Sequence, residues 1–240
     1  MAGPEGMTLA GQLGVRQREL IALVGGGGKS TLMFRLGAEL AAGGRRVILT
    51  TTTKMGRSQI EAVPNVCDSI DGTLASRPQP GPIMLVTGGD SHKVTGPRPE
   101  ELDTLARHPL VDFVVVEADG AHGRPLKAPA AHEPVVPSST TMVVIAMGID
   151  AVGGRLMDVA HRVERAVAFT GFDPDRVMTP EDCALVLSHP EGALRKAPAG
   201  ARVVVALTKV TGDSAGTAER VRRALAGHPA IDDVVAIRAR

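Results

Sequence analysis

The sequence is poor in aromatic residues: its 240 residues include no tryptophan, no tyrosine and only four phenylalanines. Proteins that bind single-stranded nucleic acid stack bases on aromatic side chains, so this kind of binding surface is excluded. The formal net charge is only +1, which gives no electrostatic footprint for nucleic acid or an anionic membrane. We therefore expect no nucleic-acid partner, and we expect any bound base to contact aliphatic, proline or arginine side chains.

Cysteine is scarce as well. Cys67 and Cys183 are the only two, and their wide separation excludes a CxxC zinc site and a disulfide framework. No apolar run approaches the roughly 18 residues of a membrane-spanning helix. The segment Met1–Gly14 lacks the charged-then-apolar pattern of a signal peptide. We expect a cytoplasmic protein without a membrane partner.

What is present is enough apolar sequence for a substantial core, since 43% of the residues are hydrophobic. The pattern predicts an α/β fold: a P-loop NTPase-like, mostly parallel sheet flanked by helices in three layers. Residues 1–240 are expected to form a single domain, with 155–197 as a small helical insertion. The predicted strands are 20–24, 45–49, 66–70, 83–87, 111–116, 140–147, 202–207 and 234–237, and the predicted helices are 9–13, 31–42, 100–107, 159–168, 180–188 and 215–226.

One stretch organises the chain. The apolar run Leu20–Val24 stops at Gly25, Gly26, Gly27 and Gly28, which are followed by Lys29, Ser30 and Thr31 and then by an amphipathic segment. Glycines let successive N–H groups approach an anion without Cβ clashes, and a helix N-terminus adds unpaired donors and a positive dipole end. We predict a phosphate-binding loop in which Lys29 neutralises phosphate charge and Ser30 binds Mg²⁺.

The spacing of this loop is shorter than the usual G-x-x-x-x-G-K-[ST], which would need a glycine at Leu23. The pattern Gly25-x-x-Gly28-Lys29-Ser30 resembles the compact loop of Mur-ligase-type ATPases. A dinucleotide-binding turn is the alternative interpretation. That motif requires Gly or Ala at the position of Ser30 and an acidic residue about twenty positions later. In this chain the second position falls in Leu49–Lys54, which contains no carboxylate. A merely flexible turn is disfavoured because four glycines lose entropy without any packing gain.

A second apolar run ends in carboxylates. Val111–Val116 leads into Glu117 and Asp119, which is the arrangement of a buried parallel strand with an acid at its tip. Either acid could hold Mg²⁺ or its water, or polarise an attacking water. The alternative is a solvated strand end, since Asp and Gly favour turns. We predict a functional role for at least one of them.

Two further loops are expected at the same edge of the sheet. Thr53 is the last of four consecutive threonines, and Lys54 follows it. Both residues are predicted to contact the metal-bound water or a phosphate. The long loop 121–134 carries Arg124 and Lys127, which could clamp an anion. Solvated surface charge is the alternative for both basic residues. His122, His132 and Glu133 are too loosely spaced to predict a metal site.

Two later motifs bear on ligand binding. His161 and Arg162 are a candidate anion contact, although a histidine within a predicted helix more often lies on the helix surface or packs. Thr208-Lys209-Val210-Thr211 stands where GTPases read guanine with [NT]-K-x-D, and Thr211 replaces that aspartate. A preference for guanine is therefore not supported, and ATP is favoured over GTP.

Together, the motifs resemble those of the YqeC-type family, the proposed accessory proteins of selenium-dependent molybdenum hydroxylases. The stretches that carry the resemblance are GGGGKST, TTTTKM, VVVEADGAHGRPLKAP, HEPVVP, GID, AHRVER, TPEDCALVLSHPEG and VVVALTKV. The resemblance places the family's phosphate loop on Gly25–Ser30, its acidic strand end on Glu117 and Asp119, its basic loop on Arg124 and Lys127, and its His-Arg pair on His161 and Arg162. It implies a nucleotide-binding protein that helps to mature a selenium or molybdenum cofactor, with a hydroxylase as partner.

The residues and the resemblance lead to one main hypothesis and three alternatives. The main hypothesis is a Mg²⁺–NTP-binding NTPase that acts in cofactor maturation. Its predicted catalytic residues are Lys29, Glu117, Asp119 and Arg124. Its predicted metal ligands are Ser30 together with Glu117 or Asp119. Lys127 is an alternative to Arg124 for the developing charge. The alternatives are a Mur-ligase-like small-molecule kinase or ligase, a non-catalytic nucleotide-gated cofactor chaperone, and a nicotinamide-dependent oxidoreductase. The last is disfavoured because the ribose-binding acid is missing.

Overall fold

A computed structural model describes residues 7–76 and 80–239. Residues 1–6, which begin the segment considered above for a signal peptide, lie outside the described residues. The strands are β1 (Glu19–Gly25), β2 (Val47–Thr51), β3 (Lys54–Gly56), β4 (Asn65–Cys67), β5 (Ile83–Leu85), β6 (Gly88–Gly89), β7 (Lys93–Thr95), β8 (Phe113–Glu117), β9 (Leu126–Lys127), β10 (Met142–Gly148), β11 (Ala160–His161), β12 (Arg202–Val210) and β13 (Asp233–Arg238). The helices are α1 (Leu9–Leu13), α2 (Lys29–Ala42), α3 (Ile70–Ala75), α4 (Pro99–Ala106), α5 (Leu156–Val159), α6 (Val163–Thr170), α7 (Pro180–Ser188) and α8 (Ala215–Leu225), with 3₁₀ turns at Arg57–Gln59, Ile149–Ala151 and Ala193–Lys196.

An eight-stranded sheet forms the centre of the fold, in the order β13-β12-β10-β1-β8-β2-β5-β4. Every pairing in this sheet is parallel. All seven residues of β1 and all seven of β10 are buried, which explains why both read as continuous apolar runs rather than alternating ones. Two small sheets accompany it, one antiparallel in the order β3-β7-β6 and one pairing β9 with β11.

The core has two parts, one on each face of the sheet. Leu20, Ala22 and Val24 of β1 point into one cluster, with side chains from α4, α6, α7 and α8. Ile21 and Leu23 point into the other, with side chains from α1 and α2. Successive strand residues face opposite sides, so this division follows from the period of two. The predicted three-layer α/β fold with a parallel sheet is confirmed.

The order of the strands creates a switch point at β1. From β1 the chain moves to β2 and beyond on one side of the sheet, and only after β8 does it cross to β10 on the other side. Open parallel sheets bind ligands outside the carboxyl ends of their strands at such a point. The loops that follow β1, β2, β8 and β12 therefore meet at this edge.

Two element predictions need correction. The expected helix 159–168 is interrupted: α5 ends at Val159, Ala160 and His161 pair with β9, and α6 begins only at Val163. The reason is Arg162, whose left-handed backbone (φ 63°) cannot continue an α-helix. His161 is thus a strand residue and does not lie on a helix. The expected strand 66–70 ends at Cys67, because Ser69 caps α3 by accepting a hydrogen bond from the Gly72 N–H.

The segment 155–197 contains α5, α6, α7 and a 3₁₀ turn, and its apolar side chains join the same core cluster as Leu20 and Val24. The prediction that it is an insertion within a single domain of residues 1–240 stays a prediction. None of the helices in the described part of the chain combines the length and the apolar character needed to cross a membrane.

Candidate functional site

The glycine loop lies between β1 and α2 and packs tightly against the neighbouring loops. The N–H groups of Gly26 and Gly27 donate to the carbonyls of Ala146 and Arg124, each at 2.9 Å. A Cβ on Gly26 would lie 2.7 Å from the Pro125 carbonyl carbon, so there is no room for a side chain. Gly25, Gly27 and Gly28 have φ of +93°, +71° and +93°, values that only glycine adopts readily. Glycine is therefore needed in this loop both for its backbone conformation and for the close contact with the neighbouring loops.

The first turn of α2 has backbone N–H groups that are not used as hydrogen-bond donors among the described residues. The backbone N–H groups of Lys29, Ser30 and Thr31 donate no hydrogen bond within residues 7–76 and 80–239, and Gly28 caps the helix without a side-chain bond. Because α2 is 14 residues long, its N-terminus also carries the positive end of a full helix dipole. Unpaired N–H groups at such a position suit an anion such as a phosphate.

Lys29 folds back over the loop and is only 4% exposed. Its Nζ donates to the Gly25 carbonyl at 2.6 Å and lies 3.1 Å from Asp119 Oδ1. Although this distance makes an ion pair, Oδ1 accepts no hydrogen bond from any described residue. The structure therefore brings together two residues, 90 positions apart, that sequence reasoning assigned to one site.

Ser30 is held between two side chains. Its Oγ donates to Glu117 Oε2 at 2.7 Å and accepts from Gln59 Nε2 at 3.0 Å. Burial is the main cause that raises the pKa of Glu117; the nearby Lys29 and the Ser30 hydroxyl act in the opposite direction. Gln59 was missed by sequence reasoning, since nothing in the pattern of 56–82 marks it. A hydroxyl and a carboxyl oxygen side by side are the donors that Mg²⁺ prefers.

Asp119 has different surroundings. Its Oδ2 accepts from the Gly25 N–H at 3.0 Å and lies 3.2 Å from Lys127 Nζ. Two lysines and a backbone N–H therefore neutralise this carboxylate, whereas Glu117 faces the Ser30 hydroxyl. Of the two acids, Glu117 fits a metal better. In the described parts of the chain no group of three or more His, Cys, Asp or Glu side chains could hold a metal ion, so phosphate or water oxygens would have to complete the coordination.

Lys127 begins a row of charges that leads away from the loop. Its side chain is fully buried, and its Nζ contacts the Gly120 carbonyl at 2.5 Å and Glu133 Oε2 at 3.1 Å. The same Glu133 oxygen accepts from Arg162 Nε at 3.1 Å. We call Lys127, Glu133 and Arg162 the charged arm. Burial opposes ionisation of Glu133, but the Ala130 N–H, Lys127 and Arg162 outweigh it and lower its pKa to about 2.

Two histidines lie beside the charged arm. The rings of His122 and His161 stack with centroids 4.7 Å apart and planes 12° apart. The pairing of β9 with β11 sets Lys127 opposite His161. Burial, followed by the charges of Lys127 and Arg162, lowers the pKa of His161. These contacts connect the predicted His-Arg pair with the predicted basic loop.

The other predicted residues lie at the same edge but with less contact. The Arg124 side chain is exposed and makes no hydrogen bond or ion pair with the described residues, although its carbonyl holds Gly27. Thr53 is half-buried, and its N–H donates to Thr51 Oγ1 at 3.1 Å. Lys54 is exposed in β3 opposite Thr95. Neither Thr53 nor Lys54 makes a hydrogen bond to the glycine loop in the described parts of the chain.

Two residues contribute to the site in a way that their sequence motifs did not indicate. The Thr208 hydroxyl donates to the Gly27 carbonyl and, at 3.2 Å, to the Met147 carbonyl. The tip of β12 therefore supports the glycine loop. Glu133 stands in a loop where its spacing from the histidines suggested nothing, and its role depends on contacts with Lys127 and Arg162.

Comparisons with known proteins agree with one another. The family model described as "YqeC protein" matches residues 21–164. The Escherichia coli (strain K12) protein named "Uncharacterized protein YqeC" is 36% identical over 197 residues, which covers 80% of this chain and 77% of that protein. Residues 21–164, which the family model matches, include the glycine loop, both acids and the charged arm. The chain belongs to the YqeC family.

Proposed function

We propose that this protein binds Mg²⁺ and a nucleoside triphosphate, with ATP favoured, at Gly25–Thr31 and that it hydrolyses the nucleotide slowly. The observation that carries the proposal is the convergence, at the first turn of α2, of three N–H groups that donate to no described residue, the Lys29 ammonium and the Ser30–Glu117 pair. Phosphates need N–H donors and positive charge, and Mg²⁺ needs oxygen ligands beside them.

Each side chain has a task in this proposal. The N–H groups of α2 hold the β- and γ-phosphates, and Lys29 exchanges the Gly25 carbonyl for a phosphate oxygen. Ser30 and Glu117 would hold Mg²⁺, which supplies charge neutralisation for the triphosphate when bound. Asp119 keeps Lys29 and the Gly25 N–H in position through its two oxygens. Arg124, exposed at the rim, is the candidate for stabilising the negative charge that develops in the transition state as the γ-phosphoryl group passes to water and the nucleoside diphosphate leaves.

The proposed biological role is to assist the maturation or insertion of a selenium or molybdenum cofactor for a molybdenum hydroxylase. It rests on the resemblance of the sequence motifs. The two thiols offer little for such a cargo: burial raises the pKa of Cys183 to about 12, and Cys67 lies in β4 at the far edge of the sheet. Contact with the cofactor would therefore fall to the loops around the nucleotide site.

A Mur-ligase-like kinase or ligase is the second candidate, and the charged arm favours it. Hydrolysis of the nucleotide alone does not require buried charged residues outside the nucleotide site. A kinase or ligase, in contrast, also needs a binding site for the molecule that accepts the phosphoryl group. Appearance of a phosphorylated or ligated product, as opposed to free phosphate, would separate the two. A nucleotide-gated chaperone without catalysis would bind nucleotide and show no turnover.

The experiment that tests the proposal is a thermal shift with Mg²⁺–ATP, Mg²⁺–GTP or NAD on wild type, Lys29→Ala and Arg35→Ala. Arg35 is the matched control, because it removes the same charge from the same helix away from its first turn. A ligand at 100 times its Kd stabilises by about 2.7 kcal/mol, and each kcal/mol moves Tm by roughly 2–4 °C for a chain of this size. We expect a shift with ATP in wild type and Arg35→Ala and none in Lys29→Ala. An equal shift in all three proteins would refute the site.

A further inference from the structure

The guanidinium of Arg162 is only partly used. Its Nε donates to Glu133 at 3.1 Å, and its side chain is 31% exposed. Its two terminal nitrogens make no other hydrogen bond within residues 7–76 and 80–239. A guanidinium presents its donors in a planar fork that matches phosphate and carboxylate groups. Arg162 therefore keeps the donors that an anion would use.

The charged arm fixes where this fork lies. Glu133 is 6% exposed and is held by the Ala130 N–H and by Lys127, each at 3.1 Å. Lys127 is held in turn by the Gly120 carbonyl and Asp119. Side chains fixed at both ends lose little freedom when a ligand arrives, so the arrangement is pre-organised for binding.

The network consists of buried ion pairs. Lys127 is paired with Asp119 and Glu133, and Glu133 is paired with Arg162. Buried ion pairs rarely stabilise a fold better than apolar residues would, which points to a role other than stability. An anion at Arg162 would use the guanidinium donors that have no partner among the described residues.

The backbone around Arg162 is unusual. Arg162 (φ 63°) and His122 (φ 50°) are two of four described non-glycine residues with positive φ. Such conformations are uncommon and cluster at functional sites. The stacked rings of His122 and His161 lie beside them and place hydrogen-bonding ring nitrogens near the guanidinium. Burial, followed by the charges of Lys127 and Arg162, lowers the pKa of His161.

We propose that Arg162, His161 and His122 form a second anion-binding subsite, which takes a phosphate or carboxylate group belonging to a ligand other than the nucleotide at the glycine loop. The inference deepens the proposed function, on which it rests for the identity of the first ligand. The second ligand is an anionic small molecule, and the charged arm links its site to Asp119 and Lys29 at the loop.

The test uses inorganic phosphate as the probe, titrated calorimetrically into protein saturated with Mg²⁺ and a non-hydrolysable ATP analogue. The proteins compared are wild type, Arg162→Gln, Arg162→Lys and Arg165→Gln. Arg165 is the matched control, since it lies three residues after Arg162, in the first turn of α6, with a similarly exposed side chain (34%). Thermal unfolding of each variant confirms that it is folded.

We expect phosphate to bind the loaded wild type and Arg165→Gln equally, with affinity lowered about tenfold or more in Arg162→Gln and by less in Arg162→Lys, which retains the charge without the fork. The affinity for the ATP analogue should change less than about threefold in all variants. Equal phosphate affinity in Arg162→Gln, or no phosphate binding to loaded wild type, would overturn the subsite. A parallel loss of analogue affinity in Arg162→Gln would also overturn it, because the guanidinium would then serve the nucleotide.

The two proposals fail in different ways. If the analogue does not bind to wild type at all, the proposed function is wrong. The phosphate titration of the unliganded proteins then decides the subsite alone: a loss confined to the Arg162 variants supports it, and equal affinities in all four proteins refute it.

Discussion

At the residue scale, the glycine loop is limited by contact with its neighbours. Gly26 faces the carbonyl carbon and oxygen of Pro125, each 2.7 Å from where its Cβ would lie. These are backbone atoms, which cannot move aside as the end of a flexible side chain can. Since the Gly26 N–H also bonds Ala146, a shift of the loop would break its attachment to β10.

We therefore predict that Gly26→Ala lowers the free energy of unfolding by about 1–3 kcal/mol and weakens nucleotide binding. Chemical denaturation and titration with Mg²⁺–ATP measure the two effects. Gly216→Ala is the control: it lies exposed in α8 with open space around it, and alanine there should stabilise by about 0.5–1 kcal/mol. Equal effects of the two substitutions would show that contact with Pro125 does not matter.

Glu133 gives a prediction about acid stability. Its pKa falls from 4.5 to about 2 in the folded protein, so its contribution is complete above pH 4.5 and is lost as the pH falls through about 2. The shift corresponds to at most about 3 kcal/mol. The free energy of unfolding of wild type should fall steeply between pH 5 and pH 2, and the slope should be smaller in Glu133→Gln. Denaturation curves at several pH values test this, and parallel pH profiles would contradict it.

At the scale of the elements, the tip of β12 holds the loop that precedes α2. The Thr208 hydroxyl donates to the carbonyls of Gly27 and Met147, so one strand end ties together the glycine loop and β10. The parallel register of β10 with β12, which sets Gly148 opposite Thr208, makes this contact possible. The late Thr-Lys-Val-Thr motif thus contacts the glycine loop through Thr208.

Thr208→Val keeps the shape of the side chain and removes the hydroxyl. We expect a loss of about 0.5–1.5 kcal/mol in stability and an affinity for Mg²⁺–ATP that is roughly two- to tenfold lower, because the Gly27 carbonyl is no longer held. Thr211→Val is the control, since Thr211 lies exposed and its hydroxyl bonds, among the described residues, only to the Ser214 hydroxyl. If both variants bind ATP as wild type does, the support from β12 is irrelevant to the loop.

At the scale of the whole molecule, the elements that sequence patterns predicted best are those that need only local information. α7 was predicted with its observed bounds because Thr179 and Pro180 mark its start. β1 was predicted within a residue because an apolar run meets glycines. The preference for right-handed connections between parallel strands limits the possible strand orders but does not select one. The position of β1 between β8 and β10 is therefore known from the structure.

The parts that could not be predicted depend on contacts between distant segments. β9 and β11 are two residues each and show no periodicity, yet their pairing brings Lys127 beside His161 and Arg162. The strands β3, β6 and β7 of the three-stranded sheet are almost as short, with three, two and three residues, and β3 directly precedes the turn that carries Gln59. The positive φ of Arg162 has no sequence signal either, because most non-glycine residues avoid it.

The proposed function requires the first turn of α2 to bind the phosphates of a nucleotide. The most direct measurement is the change in backbone amide NMR shifts when Mg²⁺–ATP is added to ¹⁵N-labelled protein. We expect the largest changes at Lys29, Ser30 and Thr31, whose N–H groups donate to no described residue, and smaller ones at Gly26 and Gly27, whose N–H groups already bond Ala146 and Arg124. Shifts centred elsewhere, or none at saturating Mg²⁺–ATP, would contradict it.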